Sequence, residues 1–499
     1  MKSLWKRLHQ LGDRLHLPNL PEWLCGILAL VLILRIPTFF EPYNYGDEMI
    51  YLTLGQGVRQ GLVLYEELHD NKPPLLYLTA AAAGSLFWFK AILAAWSIFT
   101  IILFYKLAKK LFEKNTGAQK LSTLIFALLT TIPLFEGTTV NSELFMIGFT
   151  IWALLILLGQ KLTKKNLFWA GVLLGIGTLF KVPAAFDAPV IILYWVITKG
   201  LSKWKEILNN SLILVVGFAT PLVLSFVYFF LAGAGGEYIR AAFMQNVGYL
   251  SSFRPGDVRK PFFVRNGPLL LRAFVVFAGT GIVYFFRRKL SGKFILFSVW
   301  LLLALFAITL SERPYPHYFI QAIAPVSFFL AMLFSEKNRE QSLSVIPLAI
   351  AFLVPVFFRF YLYPTTTYYL RFINFATGRV SREEYFKSFD AQTGRNYRIA
   401  EFLVNSSTPN DRVFVWDPAS PTIYALSRRL PPVKYTVPYH VADYTSTSEI
   451  ALLIAENPPK FIILTSGNPL PEIAPLIKKK YLLIQQIDNA DIYVRRQFK

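Results

Sequence analysis

The sequence predicts a polytopic α-helical membrane protein of about eleven transmembrane helices, followed by a small α/β domain. Three observations carry that expectation. Of the 499 residues, 54% are hydrophobic and 16% aromatic, and only 16% are charged, against about 25% in soluble domains. Apolar stretches of about 17 to 25 residues, the length that crosses a bilayer core, recur as far as residue 361. Beyond it the pattern shortens into strand-length runs that alternate with helical ones.

The N-terminal segment carries Lys2, Lys6, Arg7 and Arg14 ahead of the first apolar run. The run's exit, "RIPTFFEPY", offers no small-x-small cleavage site, so the segment reads as an uncleaved signal anchor. Spans are expected near 22–40, 91–108, 119–135, 143–160, 166–181, 183–198, 208–232, 268–286, 293–311, 318–335 and 343–361. The stretch 74–89, "PPLLYLTAAAAGSLFW", is short for a crossing and is expected to be a re-entrant or interfacial helix after an outer loop at 41–73. With that choice the basic connectors "KLAKKLFEKNTGAQK", "QKLTKKN", "KGLSKWKE", "RRKLSGK" and "SEKNRE" all share the side of the basic N-terminus. Positive charge marks that side as cytoplasmic, in the cell or inner membrane. A multi-pass domain over 1–361 and an extracytoplasmic α/β domain over 362–499 follow. In the second domain, strands are expected at 412–417, 460–465, 481–487 and 491–496, and helices at about 395–404, 419–427, 447–456 and 471–480.

The formal charge of +21 is scattered between apolar spans rather than gathered on one face, so it points to membrane insertion and not to nucleic acid. Cys25 is the only cysteine, which excludes disulfides and thiolate metal sites. No Walker loop, dinucleotide fingerprint, His-Glu-x-x-His or Gly-x-Ser-x-Gly motif is present. Nucleotide-driven chemistry is therefore disfavoured.

The unusual polar residues collect in the loops of the other side. Asp47 and Glu48 form a carboxylate pair just past the first span, where a base able to accept a proton from an acceptor hydroxyl would sit; a solvated interfacial pair is the alternative. "HDNKPPLLY" (69–77) places Asp70 and Lys72 before two prolines that rigidify the chain, and an ammonium at that depth suits a lipid-borne phosphate or simply anchors the helix end. "SERPYPHYF" (311–319) supplies Arg313, whose fork matches phosphate oxygens, and His317, which can donate to phosphate or ligate a metal. Tyr315 and Tyr318 in the same stretch also suit an interfacial belt. "FEGTTVNSELF" (135–145) adds Glu136 and Glu143, the latter placed to orient a sugar or a cation. "LFKVPAAFDAP" (179–189) adds Lys181 and Asp187, which are expected to pair with each other. Arg35, near the outer end of the first span, is either architectural or phosphate-facing. The acidic run "YEELHD" would also accept a divalent cation, although its spacing selects no particular metal.

Taken together, Asp47-Glu48, "DNKPPLLY" (70–77), "SELF" (142–145), "LFKVPA" (179–184) and "RPYPHYF" (313–319) resemble a GT-C type membrane glycosyltransferase. The closer likeness is to the bacterial branch related to protein O-mannosyltransferases and lipid A aminoarabinose transferases, over about residues 1–361. The resemblance implies a sugar donor carried on polyprenyl phosphate, an outward-facing site and inversion at the anomeric carbon. It implies Asp47 as the catalytic carboxylate and Lys72 and Arg313 as cations on the leaving lipid phosphate, with His317 and Glu143 in supporting roles. "HDN" before Lys72 departs from the aminoarabinose-transferase form, which has a glutamate directly before the lysine, and no particular metal is implied. The acceptor would be a glycan, a lipid or a protein. Two other classes compete: a transporter or flippase for a lipid-linked or anionic solute, and a catalytically silent sugar-binding scaffold. A transporter usually carries two related halves with ionisable groups at mid-span, and neither is evident in this sequence.

Overall fold

The computed structural model describes residues 20–159, 162–248 and 261–496; the basic N-terminal segment lies outside them. The chain is mostly helical, with a small sheet near its C-terminus. Among the described residues, eight helices are long and apolar enough to cross a membrane: Glu22–Phe40, Leu86–Leu111, Val182–Lys199, Leu201–Leu231, Phe262–Lys289, Gly292–Thr309, Pro316–Ser335 and Arg339–Phe357. The other three expected spans form as shorter helices, Thr116–Leu129, Ser142–Leu157 and Lys164–Phe180, of 14, 16 and 17 residues.

Packing explains why the short helices stay in the bundle. Phe104 stacks on Phe126 at 4.1 Å and on Phe328 at 4.6 Å, and Phe328 stacks on Phe297 at 4.7 Å, a column joining four helices. Lys164–Phe180 lies directly against Trp204–Leu231. A Cβ on Gly171 would stand 2.1 Å from the Leu214 carbonyl oxygen, and one on Gly217 would stand 2.1 Å from that of Phe168. Only glycine permits that approach, as at close helix crossings in membranes.

Arg35 is turned inward at the end of the first helix, 1% exposed, and donates to the Ser97 hydroxyl at 2.9 Å and the Thr130 carbonyl at 3.2 Å. Its role here is architectural.

The region 41–73, read from sequence as a loop, contains a 14-residue helix, Gly46–Arg59. Asp47 and Glu48 occupy its first turn, where the helix dipole favours carboxylates. Met49, Ile50, Tyr51, Leu52 and Leu54 bury its apolar side, and Gly61, at φ +87°, turns the chain away after its end. The helix packs on Leu75–Ala83, and a Cβ on Gly55 would come within 2.6 Å of the Ala81 backbone nitrogen. Leu75–Ala83 has nine residues, roughly 14 Å at 1.5 Å per residue, too short for a crossing. Gly84 at φ +67° ends it, and the Ser85 hydroxyl caps the long helix that starts at Leu86.

The C-terminal sheet has four strands: β1 (Val413–Trp416), β2 (Phe461–Thr465), β3 (Tyr481–Ile487) and β4 (Ala490–Arg495), in the order β1-β2-β4-β3. β1 and β2 run parallel, and the other pairings are antiparallel. Buried faces such as Val413, Val415, Ile463 and Ile492 on one side, and Phe414, Ile462 and Tyr481 on the other, give the sheet two small cores. This domain sits on the Gly46–Arg59 helix: the Thr53 hydroxyl donates to the Pro421 carbonyl at 3.1 Å, and helix Ser420–Ser427 packs alongside.

Candidate functional site

At one end of the bundle, side chains from five separated segments converge. Lys72 is held first by its backbone: the Tyr65 hydroxyl donates to its carbonyl at 2.9 Å, and its N–H donates to the Tyr77 hydroxyl at 3.3 Å. Its ammonium stands 3.6 Å from the Asp47 carboxylate and 5.0 Å over the Tyr51 ring. The Tyr51 hydroxyl, one turn along the helix from Asp47, donates to the same carboxylate oxygen at 2.9 Å. Asp47 is 31% exposed and Lys72 20%, so the pair opens to its surroundings. Burial pushes the Asp47 carboxyl upward, but Lys72, then His317, and the Tyr51 hydrogen bond outweigh it and hold the group below its ordinary value.

Behind this pair lies a buried layer. His317 is the second residue of the short 3-10 turn Pro316–Phe319, with Nδ1 2.5 Å from Glu136 Oε2 and Nε2 3.8 Å from Glu143 Oε1. Glu136 also accepts from the Tyr45 hydroxyl at 2.8 Å and Asn141 Nδ2 at 2.9 Å. Glu143 sits in the first turn of Ser142–Leu157 and pairs with Lys181, whose ammonium lies 4.0 Å over the Tyr318 ring. Burial lowers Lys181 below the usual lysine range, and Glu143 offsets only part of that.

Several expected partnerships are redrawn. Glu48 does not join Asp47: it is 2% exposed, 2.7 Å from Lys90 Nζ, and accepts the Val140 N–H at 2.6 Å. Consecutive helical residues point about 100° apart, which separates the two carboxylates. Asp187 does not pair with Lys181. It accepts from the Thr150 hydroxyl at 2.8 Å and Gln321 Nε2 at 3.2 Å inside the bundle. Asp70 lies on the far side of Lys72, where its Oδ1 accepts the Asn71 N–H at 2.7 Å and stands 3.6 Å from His440 Nε2 of the C-terminal domain. Burial raises the Asp70 carboxyl, but Lys72 and His440 bring it below its usual range. Arg313 sits in the exposed part of the 311–315 loop that leads into His317. In "YEELHD", Glu67 accepts the Val63 N–H at 2.7 Å. Among the described residues, no group of three or more His, Cys, Asp or Glu side chains is placed to hold a metal ion.

The profile of the dolichyl-phosphate-mannose-protein mannosyltransferase family matches residues 71–229, just under a third of the chain, and opens one residue before Lys72. The fold is similar to that of ArnT from Cupriavidus metallidurans bound to undecaprenyl phosphate, with TM-score 0.57 and 13% identity over 94% of this chain and 97% of that one. The same protein in the apo state matches with TM-score 0.52, 13% identity and the same coverage. No curated protein matches the chain in sequence. The chain therefore has the fold of ArnT, and its residues 71–229 are similar to the mannosyltransferase family.

Sequence reasoning missed Tyr45, Tyr51, Asn141 and Tyr77 as site residues. Tyr51 was findable: Asp47 and Tyr51 are four apart, and a helix over 46–59 puts them on one face. Tyr77 reaches the site from the first turn of Leu75–Ala83, and Tyr45 and Asn141 from the residues just before two helices, positions that carry no periodic signal.

Proposed function

We propose that the protein transfers a sugar from a polyprenyl-phosphate donor to an acceptor hydroxyl, with inversion. The observation that carries this reading is the open Asp47/Lys72 pair: a carboxylate and an ammonium 3.6 Å apart, both partly accessible, backed by Lys181 and His317. Such a pair is poised to exchange partners. When the donor phosphate takes Lys72, Asp47 loses the neighbour that most depresses its pKa and becomes a stronger base. Asp47 then takes the proton of the acceptor hydroxyl as its oxygen bonds to the anomeric carbon. The bond from that carbon to the phosphate oxygen breaks, and polyprenyl phosphate leaves with the electron pair. Lys72, with Arg313 and His317, stabilises the charge that grows on that phosphate. Asp70, Glu143 and Lys181 orient the reacting groups.

The same reading sets eleven crossings, a cytoplasmic N-terminus, a catalytic membrane domain over 1–361 and an extracytoplasmic domain over 362–499, in the inner membrane. A polyprenyl chain stays in the bilayer, so its phosphate must be met at the interface, where the converging helix ends lie in this topology.

The test is release of polyprenyl phosphate from a panel of radiolabelled lipid-linked sugars by wild type and Asp47→Asn. The asparagine variant is expected to lose about 10²- to 10⁴-fold in turnover while it still binds donor. Unchanged turnover in that variant, as for a transporter or scaffold, would sink the proposal.

A further inference from the structure

A cavity of about 790 Å³ lies where the first long loop, the segment around Arg240 and the C-terminal domain meet. That size falls in the range of about 300–1,000 Å³ typical of ligand sites. Nothing in the reaction above uses it.

Its lining holds two buried polar groups that lack partners among the described residues. His69 is 1% exposed, and neither ring nitrogen finds a hydrogen-bond partner among them; the Gln245 side-chain carbonyl is also buried and likewise unsatisfied. A buried polar group without a partner is destabilising, so its retention asks for a ligand or water. Burial and the neighbouring His440 push His69 down to about 3, so the imidazole is neutral. A neutral imidazole offers one donor and one acceptor, the complement of a hydroxyl group.

The rest of the wall fits the same chemistry. Tyr435 and Tyr444 flank His69 at centroid distances of 4.9 and 4.8 Å and line the cavity. Aromatic walls with a few convergent polar groups are the usual make-up of small-molecule sites. The charged lining is nearly balanced, five glutamates against four arginine or lysine side chains, which disfavours a polyanion. His69 is also three residues before Lys72, so one short stretch borders both this cavity and the candidate site.

We propose that the cavity is a carbohydrate subsite that holds uncharged, non-reacting sugar units of a glycan acceptor, an assignment that rests on the transferase reading above. The full chain in nanodiscs is titrated with mannotetraose, galactotetraose and chitotetraose and read by saturation-transfer NMR. Wild type is expected to bind at least one of them. Gln245→Ala and His69→Phe, which leave the Asp47/Lys72 pair alone, should each weaken that binding at least tenfold. Both should retain wild-type release of polyprenyl phosphate when water is the acceptor. Asp47→Asn should bind the tetrasaccharide as wild type does. Binding of none of the three by wild type, binding untouched in both cavity variants, or preference for an unstructured peptide over the sugars would overturn the subsite. Intact tetrasaccharide binding with unchanged donor turnover in Asp47→Asn would instead defeat the transferase reading alone.

Discussion

Two ion-pair clusters leave the same helical turn and are built to opposite ends. On one side, Lys90 is 1% exposed and meets Glu48 at 2.7 Å and Glu41 at 2.8 Å, and donates to the Thr138 carbonyl at 2.9 Å. The Val140 N–H and the Tyr368 hydroxyl complete the two carboxylates. On the other side, Asp47 and Lys72 stand 3.6 Å apart and are roughly a third and a fifth exposed. The Lys90 ammonium of the first cluster is already shared among two carboxylates and a carbonyl, so a ligand could take it only by breaking the cluster. The second can trade a loose pair for a phosphate at little cost. Adjacent acidic residues, Asp47 and Glu48, are thus divided between an open pair and a closed one by their direction from the helix.

That division is broken most directly by neutralising each carboxylate in turn. Asp47→Asn is expected to carry the largest loss of turnover, the 10²- to 10⁴-fold expected for a general base, with the melting temperature in detergent nearly unchanged. Glu48→Gln should do the reverse. Removing one partner of a buried ion pair costs about 3–5 kcal/mol, which should lower the yield and melting temperature while turnover per folded molecule stays near wild type. If Glu48→Gln folds normally and turnover collapses, the assignment of roles is inverted.

Lys72→Ala sharpens the same contrast at smaller magnitude. A hydrogen bond to a charged group contributes about 1.5–3 kcal/mol, or roughly 10- to 150-fold in donor use. Turnover measured against donor concentration should show that loss, partly restored in Lys72→Arg because the charge returns. An unchanged curve for Lys72→Ala would remove the phosphate from this end of the bundle.

How much of this was legible in the sequence depends on which physical signal each part carries. The apolar runs and the alternation after residue 361 report burial directly. The strands Val413–Trp416, Phe461–Thr465, Tyr481–Ile487 and Ala490–Arg495 fall where the runs of β-branched and aromatic residues do. The helix Gly46–Arg59 was hidden because charge in its first turn and three glycines along it read as loop, whereas packing against Leu75–Ala83 requires one of those glycines. Asp47 and Lys72 stood out as charges in an apolar chain and do meet. The partners of Glu48, Asp187 and Lys181 were not legible, because Lys90, Thr150 and Glu143 lie 42, 37 and 38 residues away in sequence and no local pattern encodes which helix faces which.

The smallest expected effect separates the cavity around His69 from the candidate site by pH. His69 is held down to about 3 by burial, then by His440, Lys434 and Arg240, against the pull of Asp70; His440 is lowered as well, chiefly by burial and against Asp70. The unfolded chain therefore binds protons that the folded chain refuses, starting near 6.5, the ordinary histidine value. Stability is whole above that pH and falls as pH drops from about 6.5 toward 3, by about 1.4 kcal/mol per pH unit for each such proton. Asp47 and Asp70 are also depressed, but their ordinary value is 3.8, so their contribution is lost only below about pH 4. Between pH 6.5 and 4.5 the imidazoles of His69 and His440 act alone among these groups. Melting temperatures taken at half-unit steps across that window should fall for wild type and fall less steeply for His69→Phe, which keeps the ring packed against Tyr435 and Tyr444. Equal slopes for the two proteins would mean that His69 is protonated in the folded chain, and the neutral ring that faces the cavity would be lost with it.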